Sequence, residues 1–451
     1  MSKYRFIVRN YHAIQEADII IDGITILSGI NGCGKSTLSR WLYYLIKGTA
    51  DFENNLLHEF IKKLQSLIDR MSFVCRDLER MKRANLFSEK EDSARDKLYE
   101  IQEQLKQLKS YSPQHVELAQ NLFLKATAIT ENTLLQNLLD EKISEARKER
   151  IMTFLNGTIT NKDLSQAIDD FTEQNRRLAN KLASTLLSEI NERSAYTFFE
   201  TLNRQFHTEN DYPPYIQLEE DEVNIIDEHL SNLYNLHDAI YIDTPMSITS
   251  DATDNIFWNS LRTLITDEQK RDESTDIKKL LFRIKSLIDG EAVLKKEDNL
   301  FLPKELRYIS SDQQINIRLS EVATGFKTFS YLQRLLENGY LNEETLLMID
   351  EPEAHLHPQW IVEFARILVL LNKTLGLKIM IASHNPDMVS AIHDIAEKEG
   401  ILPHTHFYVA QQCPDNKHKF VYKALGHEIS EIFESFNIAL DRIKEYGATG
   451  L

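Results

Sequence analysis

The sequence predicts an α/β fold, a mixed sheet with a phosphate-binding loop, opened by a long helical insertion. Three observations carry this. A short apolar run, Ile24-Thr25-Ile26-Leu27, leads into Gly29-Ile-Asn-Gly-Cys-Gly-Lys35-Ser36 and then into a helical pattern from Thr37 to Ile46. Two later apolar runs, Leu346 to Ile349 and Lys378 to Ala382, each end on polar side chains and precede a helical stretch, the alternation of a parallel sheet. Residues 51 to about 185 hold few glycines and prolines, many Leu, Lys and Glu, and long helical periodicity.

Residues 1–50 read as strands at Tyr4 to Val8, Asp18 to Ile21 and Ile24 to Leu27, followed by the loop and its helix. In the insertion, Ile61, Leu64, Ile68, Met71, Cys75 and Leu78 recur at steps of three and four, the seam of a coiled coil. A charged link, Lys82 to Asp96, follows, and Leu98, Ile101, Leu105 and Leu108 repeat the steps. Two readings fit equally: a short antiparallel coiled-coil hairpin, or two amphipathic helices lying on a core. Further on, Ala239 to Asp243 is a strand ending at Thr244-Pro245, and 254–290 is helical and charged. Leu306 to Ser310 and Gln314 to Leu319 form a hairpin, and a helix runs from about Phe326 to Glu337. A last hairpin, Phe407 to Gln411 and Lys419 to Lys423, precedes an amphipathic helix from about 428 to 445. The expected domains are an N-terminal lobe with the loop (1–50), the helical insertion (51–185), a mixed segment with a second helical insertion (186–300), a C-terminal lobe (301–425) and a C-terminal helix (426–451).

Composition narrows the class. Hydrophobic residues make up 42% and charged residues 27% of the chain, as in soluble globular proteins. No apolar run reaches the length of a membrane span, and Met1-Ser-Lys-Tyr-Arg-Phe enters a strand directly, so neither a membrane partner nor a signal peptide is expected. Cys33, Cys75 and Cys413 are too far apart for a disulfide framework or a metal knuckle, and a cytoplasmic location is the expectation. The net charge is −17, which argues against non-specific coating of DNA. The basic groups Arg76, Arg80, Lys82, Arg83 and Arg147, Lys148, Arg150 are interleaved with acids and read first as solvated helix faces. DNA binding is open but not indicated.

The loop carries the chemistry. Gly29, Gly32 and Gly34, with Asn31 and Cys33 between them, let backbone amides curl around phosphate oxygens. The helix start at Lys35, Ser36 and Thr37 adds its dipole. Lys35 reaches the β- and γ-phosphates and Ser36 ligates Mg²⁺. ATP and Mg²⁺ are therefore the expected ligands. The Leu346–Ile349 run delivers Asp350 and Glu351 at a strand end, Asp350 to orient the metal and Glu351 as general base for the attacking water. His384, at the end of the next strand, can contact the γ-phosphate, while Ser383 or Asn385 caps a helix opening at Pro386. His355 and His357 could ligate a metal, but no third protein ligand is evident and a structural loop at a subunit interface is the stronger reading. Small residues at Ala323, Thr324 and Gly325, followed by Lys327, open a helix whose exposed amides suit an anion, and the position suggests the ATP of a second subunit.

This order of motifs resembles ABC-type ATPase heads of the SMC, RecF and OLD kind, over about 1–50 and 300–425. Arg9-Asn10-Tyr11 looks like the "RNF" element that contacts nucleotide in repair-type heads. Asp350-Glu-Pro-Glu-Ala-His-Leu-His-Pro358 closely resembles the "DEPExHLHP" of OLD-like ATPases from bacterial defence systems. Val322-Ala-Thr-Gly325-Phe departs from the LSGGQ signature and is similar to an OLD-like "SSG" form; Asp243 or Thr244 stands where the Q-loop residue would be. OLD proteins carry a nuclease domain after the ATPase, whereas 67 residues follow His384. The resemblance is thus to standalone ATPase subunits such as those of the Septu and PARIS defence systems. It implies a head dimer with two sandwiched ATP molecules and a separate, neighbour-encoded nuclease or toxin as effector. The rival readings are a RecF- or small-SMC-like DNA-repair ATPase and, more weakly, the ATPase subunit of a membrane transporter.

Overall fold

The computed structural model describes residues 2–83, 93–138, 145–156, 164–243, 255–267, 274–295, 304–354 and 356–433. The chain forms two compact units, Met1–Ala50 with Leu202–Leu451, and Asp51–Thr201. In order, the elements are β1 (Tyr4–Tyr11), β2 (Ile14–Ile21), β3 (Ile24–Ser28), α1 (Lys35–Ala50), α2 (Phe52–Arg83), α3 (Ala94–Lys106), α4 (Pro113–Leu138), α5 (Glu145–Asn156), α6 (Leu164–Glu192) and α7 (Ala195–Phe206). They continue with β4 (Tyr215–Glu220), β5 (Val223–Asn224), β6 (Asp238–Ile242), α8 (Ile256–Thr266), α9 (Thr275–Leu287), β7 (Gly290–Lys295), β8 (Glu305–Ser310), β9 (Asn316–Arg318) and α10 (Thr324–Glu337). The last are β10 (Thr345–Asp350), α11 (Pro358–Leu375), β11 (Lys378–Ser383), α12 (Pro386–Glu399), β12 (Thr405–Cys413) and β13 (Asn416–Gly426).

The fold is α/β. Among the described residues a ten-stranded mixed sheet has the order β5-β4-β1-β2-β13-β12-β3-β11-β10-β6. Its centre, β12-β3-β11-β10-β6, is parallel. Every residue of β3, β10 and β11 is buried, which is why these runs are continuously apolar where an edge strand would alternate. The helices that connect them end sharply. His357 caps α11 before Pro358, and Gly376 closes it in the left-handed conformation. Asn385 caps α12 by accepting from the amides of Asp387 and Met388. A second sheet, β7-β8-β9, holds the expected 306–319 hairpin and one strand more.

Three differences from the sequence reading have physical causes. β1 runs through Arg9-Asn10-Tyr11 where a strand ending at Val8 was expected, because Arg9 faces Glu16 and Tyr11 faces Ile14 across the ladder. Asn10 and His12 absorb the tight reversal at positive φ. Among the described residues, the helical stretch expected at 254–290 holds α8 and α9 and gives way to β7 at Gly290. In the helical unit, Ile61, Leu64, Ile68, Met71, Cys75 and Leu78 are all buried, and α2 packs on α3, α4, α5 and α6. That is the reading of helices on a shared core; a two-helix hairpin would leave one partner only. Leu108 lies beyond α3, which ends at Lys106. The 84–92 part of the charged link, Thr244-Pro245, His355 and the helix expected beyond residue 433 lie outside the described residues. So do the side chains of Arg80, Lys82, Arg83, Arg147 and Arg150.

Candidate nucleotide site

Three adjacent parallel strands bring the candidate residues to one edge of the sheet. β3 ends at the glycine loop, β11 at Ser383-His384, and β10 at Asp350-Glu351; their register pairs Ser28 with Ser383 and Asp350 with Ala382. In an open α/β sheet the carboxyl ends of the strands are where ligands bind.

The loop curls around its own lysine. Lys35 Nζ donates to the carbonyl oxygens of Gly29 at 2.8 Å and Ile30 at 3.1 Å. Cys33 is buried and its carbonyl accepts from the Tyr422 hydroxyl of β13 at 3.2 Å. Gly34 is in the left-handed region, and a Cβ there would sit 2.8 Å from Ile14 of β2, so only glycine fits. Asn31 and Gly32 are exposed at the rim, and Ser36 and Thr37 are half-buried at the start of α1.

Asp350 is buried at the centre. It accepts hydrogen bonds from Tyr241 Oη at 2.6 Å and from Ser39 Oγ at 3.2 Å, and the Ser36 side chain lies near it. Burial nevertheless pushes its carboxyl above the ordinary carboxylate range, and the nearby Asp243 pushes the same way. Burial also raises the Tyr241 hydroxyl well above its ordinary value, so Tyr241 stays a donor. A divalent cation held by Asp350 and the Ser36 hydroxyl would offset the cost of this buried charge, so the residues present fit Mg²⁺ beside substrate phosphates. Among the described residues no group of three or more His, Cys, Asp and Glu could hold a metal by itself. His357 instead caps α11, with Nδ1 accepting from the Gln359 amide at 3.4 Å.

Glu351 is half-buried with φ of 45°. Its amide donates to the Ala382 carbonyl of β11 at 2.7 Å. His384 Nδ1 lies 3.3 Å from Glu351 Oε1. The structure thus brings Ser36 and Ser39 of α1 beside Asp350, keeps Lys35 inside its own loop, and sets Glu351 beside His384.

The remaining candidates have other neighbours. Arg9 pairs with Glu16 at 3.0 Å and lies over the Tyr215 ring, and Asn10 Oδ1 accepts from Gln15 Nε2 at 2.7 Å. Their hairpin touches the loop through Ile14. Ala323 is the cap position of α10, Thr324 opens the helix, and Lys327 is buried with its ammonium pKa lowered by that burial. A Cβ on Gly325 would lie 3.0 Å from Leu356 and 3.2 Å from Trp360, so packing against α11 is reason enough for glycine there. Asp243 is buried and pairs with Arg40 at 3.1 Å; Thr244 lies outside the described residues.

Sequence reading missed Arg40, Ser39, Tyr241 and Glu353. Ser39 and Arg40 follow Lys35 and Ser36 by four residues, the spacing of one helix face, and that signal was available. Tyr241 and Asp350 meet only because β6 pairs with β10, which no local pattern reports.

The AAA ATPase domain family matches residues 3–389. The Old nuclease of Escherichia phage P2 is 31% identical over 91 residues, 20% of this chain and 13% of that protein. The chain's match therefore spans about an eighth of that relative's length. Among solved structures, the Pyrococcus furiosus Smc head domain with an extended coiled coil, bound to the C-terminal domain of ScpA, is 10% identical with a TM-score of 0.34, covering 98% of this chain and 100% of that one. The Pyrococcus yayanosii Smc head with a coiled coil and joint is 13% identical at 0.27, covering 90% and 59%. The SMC head domain of Thermotoga maritima is 12% identical at 0.26, covering 47% and 65%. With the family's match running from the first strand to the start of the helix after β11, this chain belongs to the AAA ATPase domain family.

Proposed function

We propose that this chain hydrolyses ATP between two copies of itself and so controls a separate effector, a nuclease or toxin, in bacterial defence against phage. The observation that carries the ATPase part is the meeting of Ser36 and Asp350 beside the Glu351–His384 pair, at the ends of three adjacent parallel strands. Amides of Gly29 to Thr37, with Lys35, hold the triphosphate. Ser36 and Asp350 hold Mg²⁺, whose charge neutralises what builds up on the phosphates. Tyr241 and Ser39 fix the Asp350 carboxylate by donating to it. Glu351 takes the proton of the attacking water, and His384 reads the γ-phosphate. Arg9, Asn10 and the helix start Ala323, Thr324, Gly325 and Lys327 complete the site, the helix start acting on the partner copy's nucleotide. Closure by ATP follows only to the extent that the closed state binds it more tightly. The effector and the defence role rest on the motif order and on the resemblance of 350–358 to OLD-like ATPases.

The test is native mass spectrometry of Glu351→Gln expressed with its neighbouring genes and purified with ATP and Mg²⁺. ATP turnover should fall by about 10²–10⁴-fold, with nucleotide retained in a dimer and a neighbour-encoded protein bound in fixed ratio. Unchanged turnover removes Glu351 from its role. A bare dimer that picks up DNA replaces the effector reading with a repair ATPase.

A further inference from the structure

Glu353 has no part in the site so far, yet it is buried at the same end of the sheet as Asp350. Its side chain is 3% exposed. Oε1 accepts from Ser383 Oγ at 2.8 Å and from the His384 amide at 3.1 Å, and Ser383 Oγ in turn accepts from the Asn385 amide at 3.0 Å. One carboxylate oxygen therefore organises three consecutive residues of the loop after β11. Oε2 is buried with no hydrogen-bond partner among the described residues. Burial pushes the Glu353 carboxyl above the ordinary carboxylate range, while Ser383 and His384 pull it back.

The same oxygen lies 3.6 Å from His384 Nδ1, which faces Glu351 Oε1 from the other side at 3.3 Å. Neither approach makes a hydrogen bond in this structure. The imidazole stands between two carboxylates, one bound to the backbone of its own loop and one on the strand that carries Asp350. An uncompensated carboxylate at this depth is costly, and the least costly arrangement has Nδ1 protonated and facing both acids. A histidine so held leaves Nε2 for another partner.

From this geometry we propose that Glu353 is a positioning residue. It clamps the Ser383–Asn385 loop to the turn after β10 and holds a proton on His384 Nδ1 between the two carboxylates, so that Nε2 is left for the nucleotide and, when it too carries a proton, donates to a γ-phosphate oxygen. The proposal rests on the ATPase reading above for what Nε2 meets, and on the coordinates alone for the clamp and the tautomer.

Two measurements test it. In protein labelled with ¹⁵N-histidine, the imidazole signals that vanish in His384→Gln belong to His384. They should show Nδ1 carrying a proton; a ring protonated at Nε2 alone overturns the proposal, and no Glu353 variant is needed to see it. Then Glu353→Gln, which keeps an acceptor for Ser383 but drops the charge, should lower kcat by about tenfold with KM for ATP unchanged. In a His384→Gln background it should lower kcat no further, since a residue that acts through another adds nothing once that other is gone. A full additional loss in that background would mark Glu353 as merely structural and sink the idea. Absence of ATP turnover in the unsubstituted protein would overturn the ATPase reading instead, leaving the tautomer measurement to decide the clamp.

Discussion

At the scale of single residues, the site is defined by buried carboxylates and what surrounds them. Asp350 accepts from the hydroxyls of Tyr241 and Ser39 and still has its proton affinity raised, chiefly by burial. The sign of the consequence follows from linkage. A carboxyl whose folded pKa lies above its unfolded value costs nothing below the unfolded value, near pH 4, and costs its full amount above the folded one. Asp350→Asn should therefore melt higher than the unsubstituted protein at neutral pH without nucleotide, by about 2–4 °C for each kcal/mol relieved. The two should converge towards pH 4, and the variant should lose the stabilisation that ATP with Mg²⁺ confers. Thermal denaturation across pH reads both; an unchanged or lower melting temperature at neutral pH contradicts the burial cost.

At the scale of elements, what could be read in advance depended on whether the deciding contact was local. The loop from Gly29 to Ser36 was legible because its spacing is contiguous and its function needs little else. Asp350, Glu351 and His384 were legible as strand ends because β10 and β11 are buried on both faces and so read as unbroken apolar runs. The Tyr422 brace on Cys33 was not, since 389 residues separate the two. The steps from Ile61 to Leu78 announced a buried seam, but periodicity reports which side chains hide and says nothing of how many helices hide them. Here α2 contacts four others, so its seam behaves as core. Leu64→Ala, at a fully buried position, should cost about 2–5 kcal/mol, measured by urea denaturation of the helical unit. A loss below about 1 kcal/mol would fit the exposed hairpin that the structure replaces.

At the scale of the whole molecule, the chain leaves the sheet unit after Ala50 and re-enters it at Leu202. Each unit has its own buried cluster: one under the parallel strands, another around Leu78, Leu134, Ile151 and Ile168. Separate clusters in the two units, among the described residues, predict two cooperative transitions in calorimetry. The residues assigned to nucleotide all lie in the sheet unit. A non-hydrolysable ATP analogue at about a hundred times its Kd should raise that unit's transition by about 2.7 kcal/mol and leave the helical one in place. A single transition, or equal shifts in both, would show that the two cores melt as one.

The sheet order has a consequence for how the molecule is made. β3 carries the phosphate loop, yet its neighbours are β11 and β12, which arrive only at Lys378–Ser383 and Thr405–Cys413; β2, its predecessor in the chain, pairs instead with β13. A ribosome that has just released the loop has made neither strand that will flank it. The helical unit, whose contacts lie within about 150 residues of one another, can condense while translation continues. The glycine loop waits, unsupported, until both of those strands have been made. A nascent chain of this protein thus acquires its helical middle long before it acquires the strands that flank the glycine loop.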